Sequence, residues 1–299
     1  MRYIYMPLAL LFTGFCVTFC PSCTTCSRSH NVPINVDGFG EDTGYVKTAQ
    51  KVFRSLPTPI EMSILIKNLG IEYQPSLLND PLNTSKYVTH NQMALNFGVY
   101  VTDLVYAGLF EQTQTMLRYK LAIQKMVDGL GMSSAVDNTL LKKLETNINN
   151  KEEMLEILAD TYSSCSAFLN EEDRHFLTIA ALVGGWVEGM YIASSLTNEH
   201  LVNSENKIEQ LVIDQKLTFD MLWQVMSELD GNADIAALMS EMSGLVRAFD
   251  RIQIKHTHHQ VSFDEQEKTN VIKSDASVDT DVFAEVKEQI QTIRYNFVK

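Results

Sequence analysis

Two acidic residues stand alone in long apolar runs: Asp103 in GVYVTDLVYAGLF (98–110) and Glu188 in GWVEGMYIASSL (185–196). Each is followed three residues later by a tyrosine, Tyr106 and Tyr191, a spacing that puts carboxyl and phenol on one face of a helix. A lone charge in a buried helix must be paired, hydrogen-bonded or neutralised. If the two runs converge, Asp103, Tyr106, Glu188 and Tyr191 form a candidate pocket, able to hold a cationic or polyol ligand or to do acid/base work. If they do not, tyrosine hydroxyls or helix-end groups satisfy each acid, and Gly98, Gly108, Gly184, Gly185 and Gly189 serve to let helices cross closely. We expect the second arrangement, in which Asp103→Asn and Glu188→Gln both change stability modestly and Asp103→Leu strands the Tyr106 hydroxyl. A converging pair would instead be stabilised by both amides, through relief of like-charge repulsion.

Thiols are the other chemistry-bearing groups. Four of the five cysteines lie in GFCVTFCPSCTTC (14–26), at spacings that iron-sulfur clusters and zinc also use. Cys16, Cys20 and Cys23 imitate the spacing of radical-SAM enzymes, but the first two sit in or beside an apolar run. Arg2 is followed by the uncharged stretch Tyr3–Phe19 and then by small residues, which is the pattern of a secretory signal. The segment resembles a bacterial lipoprotein signal, in which a cysteine preceded by small residues becomes the lipid-modified first residue. Cys23, after Pro21 and Ser22, fits best; Cys26 is second, and Cys20 at position −3 departs from the usual aliphatic residue. The resemblance implies a signal peptide over 1–22, lipidation at Cys23, and outer-membrane retention, since Thr24 is not the inner-membrane aspartate. Each buried acyl CH2 contributes about 0.8 kcal/mol, so several chains anchor a protein with no spanning segment. After processing, Cys23, Cys26 and Cys165 remain, too few for a disulfide framework.

HTHH supplies His256, His258 and His259, two of which share a face on either a strand or a helix, but a third metal ligand is not evident. A solvated turn is the expectation, with no metal and no cofactor. NEEDRHF (170–176) suits a helix N-terminus, where acids favour the dipole. The chain contains no G-x-S-x-G, H-E-x-x-H, Walker or Rossmann signature. With a formal net charge of −13 over 299 residues and no basic cluster, nucleic acid is excluded as a partner, because binding it needs clustered lysine and arginine.

The elements that must position these residues are helices. Hydrophobic residues make up 45% of the chain and charged residues 20%, a globular composition. Residues 23–45 mix Gly, Pro, Asp and Ser without a period and form a tether; 46–299 follow as one all-helical domain. TPIEMSILIKNLG carries Thr58 as N-cap, Pro59 at the first helical position, Glu61 closing a capping box and Gly70 as the stop. Asn150 and Glu153 repeat the device, and Met116, Tyr119, Ile123, Met126, Val127 and Leu130 form an apolar stripe. The pattern predicts helices at 46–54, 59–69, 86–110, 112–130, 134–148, 151–169, 172–197, 204–229, 233–254 and 280–297, with a possible β-hairpin at 255–279. Short links make the expected architecture an irregular bundle or a stack of antiparallel helical hairpins.

The run from LPTPIEM through ALNFGVYVTDLVYAGLFEQTQTMLRY to AALVGGWVEGMYIASSL resembles a group of all-helical lipoproteins from Bacteroidota-type bacteria, over roughly residues 50–250. The resemblance implies an all-α fold and an envelope address and brings no catalytic residues. The function expected is a lipid-anchored envelope module that binds a ligand or protein partner. The alternative is an envelope enzyme using Asp103 and Glu188 in a helical cleft.

Overall fold

Several of the described helices begin or end where local chemistry satisfies their free backbone groups. The computed structural model describes residues 70–136, 174–196, 205–229, 231–252, 257–264, 269–275 and 280–299, with positions 66 and 67 and scattered positions from 142 to 169. The signal segment with Cys23, the tether, and the helices expected at 46–54, 134–148 and 151–169 lie wholly or largely outside them. Helix α1 is His90–Leu109, starting at a capping box in which the Thr89 hydroxyl accepts from Gln92 N and the Gln92 side chain accepts from Thr89 N. Before it, Pro75–Leu77 and Pro81–Lys86 are 3-10 turns, each opened by a proline whose missing N–H is not needed there. The sequence pattern starts this helix at 86 because it overlooks the Thr89-x-x-Gln92 signal.

Helix α2, Thr113–Gly129, ends with Gly131 at φ 70°, and Met132 N donates to Val127 O at 2.9 Å. This is the glycine-closed turn in which the left-handed residue lets the chain double back. The end of α1 makes the same turn with Glu111 at φ 59°, and the ammonium of Lys67 donates to Leu109 O beside it. Tyr100 meets the ring of Tyr119 and Met93 reaches Gly129, so α1 and α2 form an antiparallel hairpin. Helices α3 (His175–Ser195), α4 (Glu205–Ser227) and α5 (Ala233–Asp250) follow. The pairs Phe219 with Phe249 and Lys216 with Asp250 make α4 and α5 antiparallel. Thr257–Asp264 (β1) pairs antiparallel with Thr269–Asp275 (β2), within the span where the sequence alternates. Helix α6, Thr280–Val298, then returns along α5, with Gln289 against Gly244 and Arg251 paired to Glu285.

The described part is a helical bundle, and its centre is the crossing of α1 with α3. A Cβ on Gly98 would stand 1.9 Å from Ala181 O, and one on Gly184 would stand 2.0 Å from Leu95 O. The Thr102 hydroxyl lies 3.1 Å from Gly185 O. Backbone meets backbone there, which only glycine permits. Phe176–Ser195 in α3 is apolar and long enough to cross a bilayer, yet 89% of that window is buried within the fold. Ile179, Val183, Trp186, Val187 and Met190 pack on neighbouring helices as core, with Trp186 in tilted ring contact with Phe219 and Phe249.

Two glycine substitutions separate contact from helix propensity. Gly98→Ala gains about 1 kcal/mol of propensity but drives a methyl into a main-chain carbonyl that cannot withdraw. The expected result is a net loss of about 1–3 kcal/mol in denaturant melts. Gly244→Ala meets only the far end of Gln289, which can swing away, so that variant should be neutral or more stable by up to about 1 kcal/mol.

Candidate functional site

Asp103 lies five residues beyond Gly98 on α1, and Glu188 four beyond Gly184 on α3. The close crossing therefore brings the two acids together. Both are fully buried. Glu188 is held by an arginine from the last helix: Arg294 Nε donates to Oε2 at 2.9 Å and Nη2 donates to Oε1 at 3.0 Å. The second of these nitrogens also reaches Leu77 O at 3.2 Å. The Tyr191 ring covers the guanidinium, with the central carbon 4.5 Å from the centroid, a cation–π contact. Planar, two-pronged donation of this kind is what arginine offers a carboxylate and lysine cannot.

Asp103 has a different environment. Its Oδ2 accepts from Asn79 N at 3.1 Å. As a carboxylate it leaves Oδ1 buried with no donor; as an acid it can give a proton to Glu188, with which its side chain is in hydrogen-bonding contact. Burial pushes the Asp103 carboxyl well above the ordinary carboxylate range, the negative Glu188 beside it adds to the rise, and Arg294 opposes it. Burial works against the Arg294 charge, but Glu188 and Asp103 outweigh it and hold the guanidinium above its ordinary value. The cluster thus carries one negative and one positive charge, plus a neutral acid. That is the arrangement with the smallest desolvation penalty open to two carboxyls and one arginine.

Asn79 is the hub of the surrounding polar groups. Its amide donates to Tyr87 Oη at 2.9 Å and to Asn96 Oδ1 at 3.2 Å, and its carbonyl accepts from Tyr119 Oη at 3.0 Å. Asn96 in turn donates to Phe297 O at 2.8 Å, and Tyr87 Oη lies 3.4 Å from Val298 O. These last two bonds occupy carbonyls at the open end of α6, which have no partner within the helix.

Of the four residues expected in one pocket, the structure brings together Asp103, Glu188 and, through Arg294, Tyr191. Tyr106 is elsewhere in function: its hydroxyl accepts from Gln74 N at 3.2 Å and its ring stacks on Tyr73. Asp103 therefore does not satisfy Tyr106, and the expectation that tyrosine hydroxyls or helix-end groups satisfy the two acids separately is corrected. The acids answer each other and share Arg294. Sequence spacing could not reveal Arg294, which is 106 positions from Glu188, nor Asn79, which lies in a polar linker. The one available signal was an arginine inside the apolar stripe of the last helix.

Elsewhere, Cys165 is buried and its thiol is pushed up to about 12 by desolvation. It lines a space of about 10 Å³ with Phe97, Leu177 and Thr178, room for no more than one water. Among the described residues no three His, Cys, Asp or Glu side chains gather as metal ligands would. His256 lies outside the described residues.

The two amide variants should now diverge. Asp103→Asn reproduces the neutral acid, with an amide N–H for Glu188 and an oxygen for Asn79 N, whereas Glu188→Gln removes the direct counter-charge of a buried arginine. Glu188→Gln is expected to cost about 3–5 kcal/mol. Because the folded-state value of Asp103 is raised, the native protein keeps a proton that the unfolded chain releases. The group's contribution is complete below the ordinary carboxyl range and is lost as pH rises toward the raised value, at about 1.4 kcal/mol per unit. Asp103→Asn should therefore flatten that part of the stability–pH curve and equal or exceed wild type above neutrality. Melts of the three proteins across pH measure both effects.

No family model, curated protein or solved structure matches this chain.

Proposed function

We propose that the protein is a lipid-anchored module of the cell envelope, held to the outer membrane through Cys23, whose helical domain binds a ligand or protein partner rather than performing catalysis. The reading of 14–26 as a lipoprotein signal and the likeness to all-helical lipoproteins of Bacteroidota-type bacteria support the address. Support for a non-catalytic role comes from one observation. Asp103 and Glu188 are both 0% exposed, and Glu188 commits both oxygens to Arg294, so the pair serves as an internal clamp that no substrate touches. The high formal negative charge keeps nucleic acid outside the range of partners.

One observation favours the alternative of an envelope enzyme: a carboxyl raised by burial and by a second carboxylate is the usual state of a general acid. For that reading a substrate must reach atoms closed off by Asn79, Tyr119 and Arg294.

In cells given an alkyne fatty acid, the wild-type protein is expected to take up label and to fractionate with membranes, and Cys23→Ala to do neither. Label retained in Cys23→Ala and lost in Cys26→Ala would move the anchor. Label in neither wild type nor variant would remove the lipoprotein reading. Crosslinking of the lipidated protein in its native envelope, followed by mass spectrometry, would then identify the partner.

A further inference from the structure

Two routes of polar bonds lead from the end of α6 back to Asp103. Along one route Arg294 is bound by Glu188, which is in contact with Asp103. Along the other, Phe297 O and Val298 O are bound by Asn96 and Tyr87, both bound by Asn79, whose N–H is on Asp103 Oδ2. The two routes form a closed ring, and one proton on the acid pair keeps its charges balanced.

We propose that this ring is a proton-operated latch: with one proton between Asp103 and Glu188 the C-terminal half of α6 is locked into the bundle, and loss of that proton releases it. Ionising both carboxyls leaves two negative charges against one guanidinium, and the excess must be hydrated or neutralised. Among the described residues, water can enter beside Arg294. Asp103, Glu188, Asn96 and Tyr100 are closed off and Asn79, Tyr87 and Tyr119 nearly so, while the Arg294 side chain retains 13% exposure. The crossing of α1 with α3 is made by glycine backbone and apolar packing.

From α1 Tyr100 faces the cluster, from the preceding segment Tyr73 and Tyr87, from α2 Tyr119, from α3 Tyr191 and from α6 Arg294, with Asp80 beside Tyr100 and with Arg118 and Tyr106 beside Tyr73. Burial raises the phenols of Tyr73, Tyr87, Tyr100, Tyr106 and Tyr119 above their ordinary value, so they remain neutral while a carboxyl ionises. Release would bare Ile290, Ile293 and Phe297, which are buried against the bundle, and the groove they leave.

Hydrogen exchange of the full-length chain from about pH 5 to about pH 10, corrected for intrinsic base catalysis, tests the latch. The expected result is an opening constant for amides near 290–298 that rises about tenfold per pH unit above the ordinary carboxyl range and then levels, while amides of α1 and α3 stay protected. In Asp103→Asn the rise should vanish. A flat wild-type profile, a rise shared equally by α1 and α3, or a rise that persists in Asp103→Asn would each overturn the proposal. The wild-type profile stands as a test even if the variant folds poorly.

Discussion

Two helices that touch through glycine have no room to hold apart the side chains one turn further along. At Gly98 and Gly184 the main chains of α1 and α3 approach so closely that a single methyl would strike a carbonyl oxygen. The contact increases dispersion and buries apolar surface on both sides. It also forces Asp103 and Glu188 together in a place without water. Two ionised carboxyls buried side by side repel in a medium that screens little and lose their hydration, so the site must hold a proton, a cation or both. The remaining polar architecture follows from that requirement: an arginine on α6, a ring over the arginine, and an asparagine to occupy the acid's free oxygen.

The requirement also orders the fold in sequence. The cation arrives from residue 294, after the whole of α3, α4 and α5, while Asn79 and Tyr87 come from turns that precede α1. Both ends of the described chain are therefore joined at the centre by hydrogen bonds, as well as by the apolar face of α6. Buried ion pairs give little net stability compared with apolar packing, but removing one partner is severe because the other charge is left alone. The cluster therefore contributes mainly by excluding alternatives. Any arrangement of α6 that does not return Arg294 to Glu188 leaves a buried carboxylate unpaired.

How much of this was legible in the sequence depends on the range over which each cause acts. Helices α1 to α6 fall within a few residues of their predicted spans, because periodicity and caps are local. The helical fold class followed for the same reason, and so did the strand pairing near 257–275. The start of α1 was misplaced by a capping signal that an apolar pattern overlooks. In the candidate site, isolation of Asp103 and Glu188 in apolar runs correctly marked both as notable, and the flanking glycines marked a close crossing. Spacing of three residues to a tyrosine was read as pairing and was not: a shared face of a helix sets direction, while the partner is chosen by what the neighbouring helix presents. Nothing local connects Arg294 or Asn79 to the acids.

The buried acid pair also bears on why a catalytic reading of such residues is easy to make and hard to sustain. Raised carboxyl values arise wherever burial and like charge coincide, and a close helix crossing produces both without selection for chemistry. What a catalytic pair needs in addition is a face left open to substrate and a hydrogen-bonding capacity not already used. Here Glu188 has spent its oxygens on Arg294, Asp103 has spent one on Asn79 and its proton on Glu188, and the rings of Tyr191, Tyr100 and Tyr119 enclose what remains. The same saturation makes the pair sensitive to a single proton, since among the described residues no spare donor stands by to compensate for its loss.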